Sequence, residues 1–351
     1  MIDAGAAFTR RLLRWYDRSR RDLPWRTSPQ RPGPLDPYHV LVSETMLQQT
    51  QVATVIPYFN RFIARFPTLA DLASAPLQEV LRLWQGLGYY SRAHNLQAAA
   101  AIIVNKLGGQ FPSQPAELSK LHGIGRYTAG AVASIAFNRR AAILDGNVAR
   151  VLCRLDRIEE DPRILRVREG LWTRAGKILP RERVGDFNSA LMELGATVCT
   201  PKQPQCLLCP VRRHCQAFAN GRQDQIPAPR KSRPTRLLRR KTYCISWKDR
   251  WLIEQRPAVG RWAGMWQFVT VDAVPDRAAV LPVKIGPAVQ IGTISHTLTH
   301  RRYEFAVFRA SAVNGSRPRN DRPRLWATLD ELDQYPLPRP HLKVVEMLKS
   351  Q

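Results

Sequence analysis

The sequence predicts a multidomain protein with an all-α N-terminal region and an α+β C-terminal domain. From Phe8 to Leu194, apolar residues recur at the spacing of amphipathic helices. Four cysteines follow in a compact array between Cys199 and Cys215. From Leu237 onward, short aromatic and β-branched runs indicate strands instead. We therefore divide the chain into a helical region at 1–221, a basic linker at 222–236 and an α+β domain at 237–351.

The charge balance is strongly basic, with 54 Lys and Arg against 28 Asp and Glu and a formal net charge of +26. This excess favours a polyanion as partner, although a GC-rich genome would also enrich arginine. Nucleic acid fits better than a membrane because no apolar run reaches membrane-spanning length. The N-terminus carries no secretory signal, so we expect a cytoplasmic, reducing compartment. There, clustered cysteines indicate a metal site rather than disulfides.

The first three predicted helices contain one acid in an apolar setting. We predict helices at 8–18 and, in two successive segments, across 37–66. Glu44 lies among apolar neighbours in the second helix. Burial of a carboxyl group raises its pKa, which is the condition for a general acid near neutral pH. A glutamate on the solvated face of an amphipathic helix is the alternative interpretation.

A glycine-rich turn lies between further helix patterns at 76–85 and 127–137. Gly123 and Gly125 permit a sharp turn with exposed amides beside a helix N-terminus, where an anion is favoured. Many such turns merely cap helices. Asp145, however, follows shortly afterwards and opens another helix pattern. The sequence therefore pairs a phosphate-binding turn with a carboxylate.

The cysteine array has the spacing Cys199-x6-Cys206-x2-Cys209-x5-Cys215. Four thiolates so close together can close a tetrahedral zinc site or hold an iron–sulfur cluster, and the spacing alone does not decide between them. Cys153 and Cys244 lie outside the array, and we predict that they are ordinary core residues.

The C-terminal domain is predicted from strand-like runs at 243–247, 251–253, 268–271 and 303–308, and from a final helix pattern at 342–348. The linker that precedes these runs contains many basic residues. A run of this kind is usually only solvated, but here we expect it to follow a nucleic acid as well.

Two motifs resemble those of a known enzyme family. The first, Leu121-x-Gly123-x-Gly125-x-Tyr127-Thr128-Ala129 followed by Asp145, is similar to the helix-hairpin-helix and Gly/Pro-Asp motif of DNA base-excision glycosylases. The second resembles a signature of the adenine DNA glycosylase (MutY) branch and reads Ser43-Glu44-x-Met46-Leu47-Gln48-Gln49-Thr50. The resemblance implies an all-α helix-hairpin-helix glycosylase core with an iron–sulfur cluster loop, plus an α+β Nudix-like C-terminal domain.

The resemblance also implies the catalytic roles. Glu44 would be the acid that protonates adenine, and Asp145 would stabilise the sugar cation or trap it covalently. Tyr127 and Asn147 would support them, Tyr127 through a hydrogen bond to Asp145 or to the sugar. Bifunctional relatives resembling endonuclease III have a Schiff-base lysine at the Tyr127 position, and a phenol cannot form that bond. We therefore expect a monofunctional hydrolase with weak or absent strand cleavage.

The partner implied by the resemblance is double-stranded DNA, bound by a monomer that does not associate with a membrane. Gln49 and Tyr89 would fill the gap in the base stack left by the extruded adenine. Further DNA contacts would come from Gly123, Gly125, Arg26 and Arg212. The implied cofactor is a [4Fe–4S] cluster, held by Cys199, Cys206, Cys209 and Cys215.

Residues 295–300 are similar to the loop with which this family senses 8-oxoguanine, and Ser295 and His296 would be the contacts. Ile294 and Leu298 stand where the family often has aromatic residues. The Nudix hydrolase motif does not occur, so pyrophosphate hydrolysis is not expected. The predicted function is removal of adenine opposite 8-oxoguanine or guanine. The alternatives are a thymine or uracil mismatch glycosylase and a non-catalytic iron–sulfur DNA-binding protein.

Overall fold

The computed structural model describes residues 6–27, 33–228, 235–273, 280–298, 301–314 and 316–350. The chain forms two compact units. Unit 1 comprises Met1–Ser74 and Asn95–Lys231, and unit 2 comprises Ala75–His94 and Ser232–Gln351. The predicted combination of a helical core with an α+β C-terminal domain is confirmed. The domain limits at 1–221, 222–236 and 237–351 remain a prediction.

The regular secondary structure in the described part of unit 1 is helical. The helices predicted there are present, with bounds that differ by a few residues. Helices α1 to α4 are Ala6–Ser19, Pro37–Leu47, Val52–Arg65 and Leu69–Ser74. After α5 (Leu77–Leu83), the remaining helices are α6 to α12, at Ser91–Lys106, Pro115–Leu118, Arg126–Ile135, Gly146–Asp156, Leu165–Lys177, Val184–Thr197 and Gln216–Ala219. Within the described ranges, every helix is too short or too polar to span a lipid bilayer.

The core of unit 1 is built where α1, α8, α9, α10 and α11 pack together. Its buried side chains include Leu12, Leu152, Leu171 and Phe187, each with almost no exposed surface. One glycine allows an especially close approach: a Cβ atom at Gly195 in α11 would lie 2.6 Å from the Cβ of Asn147. The first turn of α9 is therefore held tightly against α11.

Unit 2 contains a six-stranded mixed sheet with the strand order β4-β5-β1-β3-β2-β6. β1 and β5 are parallel, and the other neighbouring strands are antiparallel. Apolar side chains of one sheet face pack with those of the last helix, α13. β4 and β6 were not predicted from the sequence. The strands and the last helix are β1 Arg236–Trp247, β2 Arg250–Gln255, β3 Trp266–Asp272, β4 Val289–Leu298, β5 Arg301–Ser311, β6 Arg324–Ala327 and α13 Arg339–Lys349.

The segment Ala75–His94, which contains α5, belongs to unit 2 through specific polar contacts. Gln78 Nε2 donates to the carbonyl of Gly264 at 3.0 Å, and Gln78 Oε1 accepts from Trp266 Nε1 at 3.1 Å. His94 Nε2 lies 3.1 Å from the carbonyl of Ala263. These contacts join α5 and the start of α6 to the loop that precedes β3.

Candidate active site

A cleft of about 960 Å³ in unit 1 contains all four residues predicted to be catalytic, Glu44, Tyr127, Asp145 and Asn147. They come from α2, α8 and the N-terminus of α9, so residues far apart in the chain meet in one place. Gln49, predicted to enter the base stack, also lines this cleft. Its volume lies within the range of small-molecule binding sites and is large enough to admit a nucleobase with its sugar.

Glu44 is a buried carboxyl group with the properties of a general acid. Pro37 begins α2, and the side chain of Asp36 caps it by accepting a hydrogen bond from the backbone N–H of Tyr38 at 2.8 Å. The helix is buried on nearly every side, so Glu44 is only 5% exposed. Burial raises the pKa of Glu44 to about 7. A protonated population therefore exists at neutral pH, and the solvated-face interpretation is wrong.

Tyr127 donates a hydrogen bond to Glu44, whereas the sequence suggested Asp145 or the reacting sugar as its partner. Its hydroxyl lies 2.6 Å from Glu44 Oε2. Burial, together with the nearby charges of Glu44 and Asp145, raises the pKa of Tyr127 well above its ordinary value. The phenol therefore remains a hydrogen-bond donor and holds the Glu44 carboxyl group in one orientation.

Asp145 caps α9, where the partial positive charge of the helix N-terminus favours a carboxylate. Its side chain accepts hydrogen bonds from Val148 N at 2.7 Å and from Asn147 Nδ2 at 3.1 Å. Burial raises the pKa of Asp145, and the hydrogen bond from Val148 and the charge of Arg150 oppose that shift. The carboxylate is thus partly desolvated but held by directed donors, which suits the stabilisation of a nearby cation.

Asn147 connects Asp145 to Arg150, a basic residue that also lines the cleft. Asn147 Oδ1 accepts a hydrogen bond from Arg150 Nη2 at 2.9 Å. Arg150 also donates to the backbone carbonyls of Gly195 at 2.7 Å and Cys199 at 2.8 Å. Asn147 is therefore held between the carboxylate of the site and the segment that leads into the cysteine array.

One wall of the cleft is an ion-pair cluster that sequence reasoning missed. Glu193 on α11 accepts two hydrogen bonds from the Arg21 guanidinium at 2.6 and 3.0 Å, one from the Arg21 backbone N–H at 3.2 Å, and one from Arg26 at 2.9 Å. Burial raises the pKa of Glu193, but the two guanidinium groups outweigh it and keep that pKa below its usual value. The sequence feature that could have revealed this cluster is an acidic residue within the apolar run of α11. Arg26, predicted to contact DNA, is here paired with Glu193.

The predicted phosphate-binding turn has the backbone that its glycines suggest. Gly123 has φ = +72°, and a Cβ atom there would lie 2.4 Å from the side chain of Asn95. Gly125 caps α8, and a Cβ atom at Gly125 would meet nothing within 4 Å. The first glycine is thus required by the turn and by packing, whereas the second leaves open space at the helix N-terminus.

Gln49 and Tyr89, the two residues predicted to enter the base stack, both have left-handed backbone conformations, with φ of 59° and 48°. Such conformations are uncommon for residues other than glycine and often accompany function. Tyr89 is 45% exposed in unit 2, and the guanidinium of Arg92 lies 5.4 Å from its ring centroid. Each side chain is thus presented by a strained turn.

The four cysteines of the predicted cluster loop are neighbours. Burial and the charges of the other three cysteines together raise the pKa of Cys209 to about 12. Arg154 Nη1 donates to Cys199 Sγ at 3.3 Å, which supplies positive charge beside the thiols. Among the described residues, no group of His, Cys, Asp or Glu is arranged around a single metal ion. Four neighbouring cysteines are the donor set that iron–sulfur clusters take.

Arg212, predicted to contact DNA, is bonded within the cysteine segment, where its Nη1 donates to the carbonyl of Leu207 at 3.1 Å. Its contact with DNA remains a prediction. Cys153 and Cys244 are fully buried, which confirms that they are core residues outside the array.

Ser295 and His296 lie on β4, at the edge of the unit 2 sheet, and not in a loop. Ser295 is opposite Glu304 and His296 is opposite Tyr303 on β5. Burial and the charges of Lys343, Arg339 and Arg261 lower the pKa of His296, so its imidazole is neutral at physiological pH. Thr299 and His300 lie outside the described residues.

Comparison with known proteins agrees with this geometry. Residues 42–177 match the HhH-GPD superfamily of base excision DNA repair proteins, and residues 242–347 match the NUDIX domain. Two solved structures resemble 61% and 63% of this chain. They are a thermostable thymine-DNA glycosylase (28% identity, TM-score 0.54, 95% of that chain covered) and endonuclease III in a non-covalent DNA complex (25%, 0.52, 99%).

Curated relatives are similar over most of the chain. The adenine DNA glycosylase of Rattus norvegicus is 40% identical over 89% of this chain and 72% of its own length. The adenine DNA glycosylase of Homo sapiens is 38% identical over 98% of this chain and 74% of its own length. That of Buchnera aphidicola subsp. Baizongia pistaciae is 33% identical over 98% of this chain and 97% of its own length. The helical fold and the paired carboxyl groups define a DNA glycosylase of base-excision repair. Within that class, the chain belongs to the adenine DNA glycosylase family.

Proposed function

We propose that this protein hydrolyses the N-glycosidic bond of adenine mispaired with 8-oxoguanine or guanine. The observation that carries the proposal is the buried Glu44, hydrogen-bonded to Tyr127 in the same cleft as Asp145. Adenine within a duplex is stacked and paired, so it must be extruded before it reaches this cleft. Gln49 and Tyr89 would fill the space that it leaves.

The first chemical task is protonation of the leaving base. Adenine is a poor leaving group as an anion, and a proton on a ring nitrogen makes it a neutral one. Glu44 can supply that proton because its pKa of about 7 leaves the acid form populated. Tyr127 orients the carboxyl group.

The second task is stabilisation of the oxocarbenium-like sugar that forms as the bond breaks. Asp145 would serve as the anion, either electrostatically or through a covalent intermediate, and Asn147 would hold its carboxylate. Water then completes the hydrolysis. Because Tyr127 has no amine, a Schiff base with the sugar cannot form at that position, so the product is an abasic site in an unbroken strand.

We also propose that Cys199, Cys206, Cys209 and Cys215 hold a [4Fe–4S] cluster, as the spacing and the mutual proximity of the thiols support. A cluster held by these cysteines would fix the loop that follows α11 and would take no part in the hydrolysis. Iron content and visible absorbance of the purified protein test this assignment. Cys209→Ser would lose both signals, whereas Cys153→Ser would keep them.

The experiment that tests the glycosylase function uses duplexes with adenine opposite 8-oxoguanine, adenine opposite guanine, and thymine or uracil opposite guanine. Products are read with and without hot alkali. We expect adenine release, strand breaks only after alkali, and loss of both in Glu44→Gln. Glu117→Gln, an exposed glutamate on α7, is the matched control and should leave the rate unchanged.

The other outcomes separate the alternatives. Thymine release would support the alternative of a thymine mismatch glycosylase, which the similarity to a solved thymine-DNA glycosylase also suggests. Binding without release of any base would leave a DNA-binding protein. Breaks that form without alkali would contradict the monofunctional assignment.

A further inference from the structure

Trp262 in unit 2 has a backbone conformation that its own side chain disfavours. Its φ is +54°, in the left-handed region that bulky residues rarely occupy. Such strain persists only where the surrounding structure imposes it, and it often marks a functional position. We therefore expect Trp262 to be held in place by contacts on its backbone and its ring.

The loop that carries Trp262 is fixed at several backbone atoms. Arg256 Nε donates to the carbonyl of Arg261 at 2.9 Å, and Met265 N donates to the carbonyl of Trp262 at 3.2 Å. The next two carbonyls, those of Ala263 and Gly264, are bound by His94, Gln78 and Gln255 at 3.0 to 3.1 Å. The peptide groups on both sides of Trp262 are thus held by side chains from three segments of unit 2.

The ring of Trp262 forms a support for His296. Its centroid lies 6.1 Å from that of His296, 5.6 Å from that of Tyr303 and 6.4 Å from that of Phe305. The Arg256 guanidinium lies 5.8 Å from the Trp262 ring centroid, within cation–π range. His296 therefore has one side of its imidazole against a rigid aromatic cluster.

We propose that Trp262 is a positioning residue that determines specificity for 8-oxoguanine, because it holds His296 in the orientation that reads the lesion. The inference rests on the proposed function and on the expectation, carried by the family resemblance, that His296 contacts that base. 8-Oxoguanine differs from guanine by an N7–H donor and a C8 carbonyl. A side chain can distinguish two such similar bases only if its own polar atoms are fixed, because hydrogen bonds weaken steeply with misalignment.

The test compares adenine excision opposite 8-oxoguanine with excision opposite guanine, in single-turnover rate and in duplex affinity, for the full-length protein. Trp262→Ala should lower the preference for 8-oxoguanine by about tenfold, the value of one well-made hydrogen bond. Trp262→Phe keeps an aromatic ring and should restore most of the preference. Trp247→Ala is the control, since that tryptophan is 42% exposed and pairs with Trp326 on the same sheet.

Two further measurements separate positioning from a general loss of structure. The rate on the guanine duplex should stay constant in Trp262→Ala, because the catalytic cleft lies in unit 1. In Trp262→Ala the His296 imidazole should also titrate at a higher pH by NMR, because its burial is reduced. A fall in both excision rates, or an unchanged titration, would mean that Trp262 has only a structural role.

His296→Ala keeps the two proposals distinguishable. If His296→Ala lowers the preference and adding Trp262→Ala lowers it no further, the two residues act as one unit, as we propose. If His296→Ala lowers the preference but Trp262→Ala does not, the positioning role is wrong and the lesion contact stands. If His296→Ala has no effect, the expected contact of His296 with the lesion is wrong, and the role of Trp262 with it, whereas adenine excision itself is not affected.

Discussion

Glu44 and Tyr127 form the closest polar contact between the predicted catalytic residues, and it has a consequence for pH dependence. Glu44 must be protonated to act as the acid, so the excision rate should be full below its pKa and fall as pH rises through about 7. The Tyr127 hydrogen bond stabilises the ionised carboxylate and lowers that pKa. Removal of the hydroxyl should therefore extend activity to higher pH.

We accordingly expect Tyr127→Phe to move the alkaline midpoint of the single-turnover rate upward, whatever its effect on the maximum rate. Tyr58→Phe, on α3 and outside the lining of the cleft, is the control and should leave the midpoint in place. A midpoint that stays constant or moves downward in Tyr127→Phe would show that the phenol does not control the ionisation of Glu44.

Asp145 caps α9 and, in the proposed function, also supplies a negative charge, and substitutions can separate the two. Asparagine is as good a helix cap as aspartate, whereas alanine removes the cap at a cost of about 1 kcal/mol. Asp145→Asn should therefore lower the excision rate by about 10²-fold or more through loss of the negative charge. Its free energy of unfolding, from urea titration, should remain above that of Asp145→Ala. Equal activity in Asp145→Asn and the unmodified protein would refute the role of the charge.

At the scale of elements, the site depends on how closely α11 approaches α9. An alanine at 195 would bring its Cβ within 2.6 Å of the Asn147 side chain and 3.1 Å of its backbone. We expect Gly195→Ala to destabilise the protein by about 1–3 kcal/mol, as overpacking does, and to lower excision by displacing Asn147. Thermal unfolding and single-turnover rates measure the two effects.

The matched control for Gly195→Ala is Gly170→Ala in the exposed interior of α10, where a Cβ atom meets nothing within 4 Å. That change should stabilise the helix by about 0.5–1 kcal/mol, because alanine loses less backbone freedom than glycine. A Gly195→Ala protein that resembles Gly170→Ala in stability and rate would contradict the close packing of α9 and α11.

The packing of helices against one another also explains how much of the site could be predicted from the sequence. Local patterns identified Glu44 on an apolar helix, the glycines before α8 and the cap at Asp145. The Tyr127–Glu44 bond joins residues 83 positions apart, and the pairing of Glu193 with Arg21 joins residues 172 positions apart. Both depend on helix packing that periodicity does not specify. β4 was missed because Gly292 and polar residues interrupt its strand pattern.

At the scale of the whole molecule, the 54 basic residues outnumber the 28 acidic ones, which predicted a polyanion partner. The count does not say which surfaces are basic. Strand register identifies one of them. Arg236 at the start of β1 is opposite Arg301 on β5, and Arg301 is opposite Leu298 at the end of β4. Arg236, Arg301 and Arg302 are exposed, with Glu304 as a neighbouring acid. We expect this sheet end, which also carries His296, to bind DNA phosphates.

We therefore predict that Arg301→Ala with Arg302→Ala weakens binding to all duplexes and makes its salt dependence shallower. Each phosphate contact contributes about −0.9 to the slope of log K against log salt, so two lost contacts should change the slope by about 2. Arg163→Ala with Arg166→Ala removes the same charge from a site where Asp161 and Glu160 already neutralise it, so its slope should hardly change. If both double variants changed the slope equally, net charge rather than this sheet end would govern DNA binding.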